Sequence, residues 1–179
     1  MSCEWEVWYN ANNTTWTANF TVGDAGPLYA STSDTIDMDD LNAINMTQDD
    51  LDLGVYAAGT NSSTHPNTST MENGGNIRID VGLNSSSEFV CDIGENFSAG
   101  NLSYDLTTGT AYGAGTAITT SQNVVTTFNL DPNTTTGVSV SGGPTAPDDD
   151  VFWGIGVPTA ISGGATCDTT VFIGAIMDQ

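Results

Sequence analysis

The chain has 179 residues, enough for one domain with a buried core, and its 38% apolar content excludes a disordered acidic tail. Its 22 acidic residues face a single basic one, Arg78, for a formal net charge of −21. Nucleic acid is therefore excluded as a partner and an anionic membrane surface is disfavoured, because both are met by Lys and Arg.

The β-branched and aromatic bias, with frequent Gly, Asn, Asp and Ser between short apolar runs, predicts an all-β chain. Met1-Ser2-Cys3-Glu4-Trp5-Glu6 has neither the basic region nor the apolar run of a secretory leader. The expectation is a processed mature chain or a structural protein made in a cytoplasm, as in a virus. Trp5, Val7 and Tyr9 begin an alternation, and Asn10 to Asn13 reads as a turn. Residues 16–22 alternate cleanly, which predicts a strand with Trp16, Ala18, Phe20 and Val22 inward and Asn19 and Thr21 outward. Gly23 to Pro27 ends it, and the two segments suggest a hairpin or neighbouring strands.

Residues 31–53 hold acidic clusters around small apolar islands. Thr47, followed three residues later by Asp50, is a helix N-cap pattern and admits one short helix near residues 38–52. Residues 58–76 read as a polar, glycan-bearing loop. Residues 76–83 then give the clearest strand, with Ile77, Ile79, Val81 and Leu83 toward the core and Arg78 outward. Shorter strands are expected at 88–93, 124–130, 137–141 and 151–157. The final segment, Thr170 to Met177, is apolar on both faces. It reads either as a strand covered by a loop or as one lying at a subunit interface, with Val171, Phe172, Ile173 and Ile176 as its contacts. The N-terminal strand is a second candidate for that role. No apolar stretch reaches the roughly 20 residues of a membrane-spanning helix, so direct membrane insertion is not expected. No fixed repeat emerges, so a solenoid is not indicated.

Ten of the 16 asparagines head an Asn-x-Ser/Thr sequon: Asn12, Asn13, Asn19, Asn45, Asn61, Asn67, Asn84, Asn96, Asn101 and Asn133. Chance would give about four. The excess points to covalent glycans and hence to an extracellular or cell-surface protein. The competing reading is that a Thr- and Asn-rich β-protein makes sequons by accident.

Three stretches carry a family resemblance. Glu72-Asn73-Gly74-Gly75-Asn76-Ile77-Arg78-Ile79-Asp80-Val81 resembles a strand of secreted archaeal and bacterial immunoglobulin-like modules. Asp150-Val151-Phe152-Trp153-Gly154-Ile155-Gly156-Val157-Pro158 looks like their penultimate strand, and the run from Ile161 to Ile173 is similar to the hairpin that follows, with Cys167 where Tyr is common. The resemblance implies one immunoglobulin-like β-sandwich over residues 1–179. It also implies a place in cell sheaths, surface layers or filaments, including donor-strand fibres of the TasA biofilm-matrix type, with copies of itself as partners.

Three cysteines in a protein expected to be secreted suggest one bridge and one thiol left for a neighbour. Cys91 and Cys167 lie in or beside predicted core strands and are paired on that ground, which leaves Cys3 as the intermolecular candidate. Three unpaired thiols in a cytoplasmically assembled protein is the alternative. Zinc is not expected, with one histidine and no Cys-x-x-Cys. The histidine, His65, sits in a polar stretch between sequons and reads as solvated surface rather than as a catalytic base. With no nucleophile elbow, phosphate loop or dinucleotide fingerprint, an enzyme is not expected.

Calcium is the one cofactor with a physical argument, because hard cations take several oxygen ligands. The Asp-rich stretches Asp37, Asp39, Asp40 and Asp49, Asp50, Asp52 would supply them, although neither has the spacing of an EF-hand loop. A solvated acidic face is the plainer reading. The function expected from the sequence is a self-associating extracellular structural subunit. The runner-up is a calcium-dependent adhesion or carbohydrate-binding module, with Trp5, Trp8 or Trp16 stacking on sugar. A viral capsid or decoration protein is third.

Overall fold

The computed structural model describes residues 11–26, 28–48, 50–86, 88–132 and 148–177. In chain order the strands are β1 (Thr15–Gly23), β2 (Tyr29–Asp37), β3 (Ile44–Met46), β4 (Asn67–Asn73), β5 (Ile79–Ser85), β6 (Phe89–Cys91) and β7 (Asn96–Phe97). They continue as β8 (Leu102–Asp105), β9 (Thr116–Ala117), β10 (Asn123–Leu130), β11 (Asp148–Ile155), β12 (Cys167–Asp168) and β13 (Val171–Met177). A single 3-10 turn at Ala99–Asn101, capped by the Ser98 side chain, is the one helical element among the described residues. The fold is all-β and sandwich-like.

A five-stranded sheet of order β3-β4-β11-β8-β9 and a three-stranded sheet of order β10-β5-β13 share one apolar cluster. The alternation of β5 sets Ile79, Val81 and Leu83 into that cluster with no exposed surface, and β10 adds Val125, Phe128 and Leu130. From the other sheet come Met71, Leu102, Tyr104, Val151, Trp153 and Ile155. The Trp153 indole packs tilted against the Tyr104 ring, at 6.2 Å between centroids, and donates its Nε1–H to Ser69 Oγ at 3.0 Å. This follows the rule that a buried indole finds an acceptor.

A small third sheet, β12-β6-β7, closes one end. Phe89 and Phe97 stack there at 4.5 Å, and Cys167 lies directly across from Cys91 and is bonded to it. The bridge therefore ties neighbouring strands of one sheet, unlike the inter-sheet bridge of antibody domains. It closes 76 residues of chain.

Several sequence expectations change in the structure. Residues 38–52 contain no described helix. Ile44 to Met46 pairs with β4, and the backbone N–H of Thr47, expected to cap a helix, donates instead to the Thr70 carbonyl at 3.2 Å. The loop expected at residues 58–76 ends in β4, a strand inside the larger sheet. Its Asn73 turns inward and donates to the carbonyls of Ile77 and Leu130, both at 2.9 Å. Ile77 falls outside β5 and is half-buried. The strand expected at 137–141 and the N-terminal alternation of Trp5, Val7 and Tyr9 lie outside the described residues.

β1 appears where the alternation put it, but its partner is β2, joined over all nine residues from Thr15↔Asp37 to Gly23↔Tyr29. These two strands form a sheet of their own. The expected inward set is not buried: Trp16, Ala18 and Phe20 are half-buried and Val22 is 67% exposed. The ribbon is held at its base. Asn13 donates to Asp40 at 2.7 Å, Thr15 Oγ1 to Asp37 at 2.6 Å and the Met38 N–H to the Thr14 carbonyl at 3.3 Å. The anchor beneath is Asn76, whose buried amide donates to the carbonyls of Ala11 and Asp39 and accepts from the Leu41 N–H. Gly75 is required beside it, since a Cβ there would overlap the Leu41 carbonyl oxygen.

Candidate functional site

The feature with the most to offer a partner is β13. It pairs on one side with β5 over its whole length, and no other described strand lies along its second edge. The hydrogen-bond phase can be read directly. The Ser86 N–H donates to the Thr170 carbonyl, while the Ser85 N–H turns the other way to Thr119. In an antiparallel ladder this places the backbone groups of Val171, Ile173, Ala175 and Met177 on the outer side. The Asn42 amide reaches the Ala175 carbonyl there at 3.3 Å.

The side chains of β13 divide by parity. Val171, Ile173 and Ala175 pack against the core cluster. Phe172, Gly174 and Ile176 take the opposite face, across from Asn84, Gly82 and Asp80 of β5. Phe172 is 51% exposed and Ile176 half-buried. From Thr169 to Met177 the strand carries no charge in a chain of net charge −21. An uncharged edge strand with free backbone groups is a template for another strand. Of the four expected contact residues, Phe172 and Ile176 thus share the outer face, while Val171 and Ile173 turn to the core and offer a partner only their backbone edge.

His65 is not solvated. It is 2% exposed, lodged between β8 and β11. Because a carbonyl can only accept, Nδ1–H donates to the Thr110 oxygen at 2.7 Å, and Nε2 accepts the Ser103 hydroxyl at 2.8 Å. Hydroxyl, imidazole and fixed acceptor stand in the order of a nucleophile–base–orienter chain. Yet Ser103 is itself buried, and Gly154 and Gly115 lie against the ring so closely that a Cβ on either would strike it, at 2.9 and 2.6 Å. The network ties the segment before β4 to β8 and to the 107–115 loop. Sequence reasoning missed it because the flanking residues are polar and the partners lie about 40 positions away.

The sequons separate by environment. Asn13, Asn19, Asn45, Asn61 and Asn96 are exposed, and Asn12, Asn67, Asn84 and Asn101 half-buried. The amide nitrogens of Asn13, Asn45, Asn67 and Asn101 are engaged, with Asp40, Glu72, Leu53 O and Ser98 O. Those of Asn19, Asn61 and Asn96 hold no hydrogen bond to described residues. Asn133, Cys3 and Asp49 lie outside the described residues.

The acidic stretches are used locally. Asp37 accepts from Thr15, Asp40 from Asn13 and Asp52 from the Gly54 N–H, while Asp39 contributes its backbone carbonyl to Asn76 and Asp50 is exposed. Among the described residues no three potential metal ligands converge. Near the disulfide, Glu95 accepts both the N–H and the hydroxyl of Ser162, at 2.6 and 2.7 Å, and these bonds hold its carboxyl below the ordinary value of 4.5. Burial pushes the Tyr104 and Tyr112 phenols up. Tyr104 lines a shallow, open hollow of about 360 Å³ beside β10, with Asp105, Val124 and Thr126.

No protein-family model, curated protein or solved structure matches this chain.

Proposed function

We propose that this chain is a structural, non-enzymatic subunit of an extracellular assembly, a sheath, surface layer or filament, whose copies associate through the open edge of β13. The observation that carries this reading is the strand itself: an outer edge along which no described strand pairs, met by the Asn42 amide at the Ala175 carbonyl, with apolar side chains on both faces and no charge over nine residues. Elsewhere the acidic surface opposes contact between copies, so an uncharged edge is where self-association meets least repulsion.

Other features agree with it. The Cys91–Cys167 bridge suits an oxidising compartment and leaves Cys3 as the thiol for a covalent link between copies. Asn19, Asn61 and Asn96 are exposed and suit glycan attachment. The resemblance to secreted archaeal and bacterial immunoglobulin-like modules points the same way.

The test is a proline placed by hydrogen-bond phase. The N–H of Ala175 points outward, so Ala175→Pro removes no bond to β5 and blocks an incoming strand. In molar salt, wild type is expected to sediment as polymers visible by electron microscopy, and Ala175→Pro as folded particles no larger than a dimer. Unchanged polymers in the variant would remove β13 as the contact. A wild-type monomer retained on a glycan column would favour a binding module instead.

A further inference from the structure

We propose that the apolar face of the β1–β2 ribbon is a second contact between copies, in which two ribbons pack face to face about a twofold axis. This rests on the self-association reading in taking another copy as the partner, but uses a different surface.

The register divides the ribbon cleanly. One face carries the cross-strand rows Trp16/Ile36, Ala18/Asp34, Phe20/Thr32 and Val22/Ala30. The other carries Thr and Ser with the sequon residue Asn19, and Asp37 and the exposed Tyr29 at its ends, so a glycan would sit on the face turned away from the contact. A two-stranded sheet is marginal alone in water and needs a layer against its apolar face. Within the described structure no strand supplies one: Val22 is 67% and Ile36 48% exposed.

Two properties select a copy of the same chain as that layer. The first is charge. Asp34 is the one acidic residue on this face of a chain of net charge −21, and its Oδ1 already accepts the Thr35 N–H at 2.9 Å. The second is shape. Large and small side chains alternate along β1, so a twofold axis between the Ala18 and Phe20 rows sets each Phe20 over the partner's Ala18 and each Trp16 over the partner's Val22. The Trp16 indole is held for this, with its Nε1–H on the Asn12 carbonyl at 2.9 Å.

The area sets the strength. Nine residues span about 30 Å, and two strands present a face about 10 Å wide, so each copy covers about 300 Å². That is well below the roughly 800 Å² per partner of a stable complex. The ribbon contact is therefore a weak, salt-favoured one that gains force when β13 already holds copies together.

The experiment is sedimentation velocity of the full chain from micromolar to millimolar concentration in molar salt, with folding checked by circular dichroism. In the Ala175→Pro background a residual monomer–dimer equilibrium is expected. Phe20→Asp should weaken it about tenfold or more, since it exchanges the central aromatic side chain for a second carboxylate on a face that already carries Asp34. Thr21→Asp, on the opposite face, should leave it within about twofold. Dimers that persist with Phe20→Asp overturn the ribbon contact while the β13 reading stands, as does Ala175→Pro remaining strictly monomeric. A loss of folding stability in Phe20→Asp with dimerisation unchanged means that the face is covered within its own chain, and overturns it too. If wild type stays monomeric throughout, both readings fall together.

Discussion

β1 and β5 carry the same signal and end in opposite surroundings. Each alternates apolar residues with polar ones or glycine over at least six positions. In β5 the apolar set has no exposed surface, whereas in β1 it stays half-covered with Val22 open. Alternation marks a face that gains by being covered; it does not say which part of which molecule covers it. For β5 the cover comes from the facing sheet, through Met71, Val151 and Trp153. For β1 we assign it to a neighbouring copy.

That contrast can be broken by measurement. The largest effect is expected inside the sandwich, where replacing Cys91 and Cys167 by Ala frees the 76-residue closure and should cost roughly 4 kcal/mol of unfolding free energy. Leu83→Ala, emptying a site with no exposed surface, should follow at about 3 kcal/mol. His65→Ala removes two buried hydrogen bonds, although the Thr110 carbonyl keeps the residue 65 N–H and the Ser103 hydroxyl keeps the Gly154 carbonyl, and should cost about 1–3 kcal/mol. In the ribbon, Phe20→Ala should change the stability of dilute monomer by no more than about 0.5 kcal/mol. Urea titrations of these variants decide the matter, and a Phe20→Ala loss as large as that of Leu83→Ala would erase the distinction.

The smallest effect sharpens rather than breaks it. Glu95 has a lowered folded-state pKa, so the stability it adds is present above the ordinary carboxylate value of 4.5 and is lost as pH falls through the lowered value. Glu95→Gln should thus be less stable than wild type at neutral pH, with the gap narrowing as both are acidified. Thermal melts across that range would show it, and a gap independent of pH would exclude the carboxylate as its source.

Where the sequence could be read, the reason was a short apolar and β-branched run, alternating in β5 and apolar on both faces in β13. β5, β10, β11 and β13 all fall within a few residues of their expected places. β2 and β4 could not be read that way. Tyr29-Ala30-Ser31-Thr32-Ser33-Asp34-Thr35-Ile36-Asp37 lacks an apolar alternation and is a strand because β1 lies beside it. β4 buries Ser69 and Asn73, polar residues whose partners, Trp153 and Leu130, are distant in sequence. A polar side chain enters a core only with its hydrogen bonds made, and a single chain does not announce such partners. The same limit hid the site. The apolar two-sidedness of Thr170 to Met177 was visible from the residues, but the open edge and its phase depend on which strand β5 takes as its neighbour.

The burial of His65 also constrains how this sequence can drift. Gly154 is held to glycine by the imidazole and by Ser62 Oγ, at 2.9 and 3.0 Å from where a Cβ would stand. Gly115 is held by the imidazole and also by the Tyr104 carbonyl, at 2.7 Å. A descendant that trades His65 for a smaller residue would relieve the first position of its tightest neighbour, while the second would still meet the Tyr104 carbonyl at 2.7 Å. Residues 65 and 154 should therefore change together across relatives of this chain, while residue 115 stays glycine whatever its neighbours do.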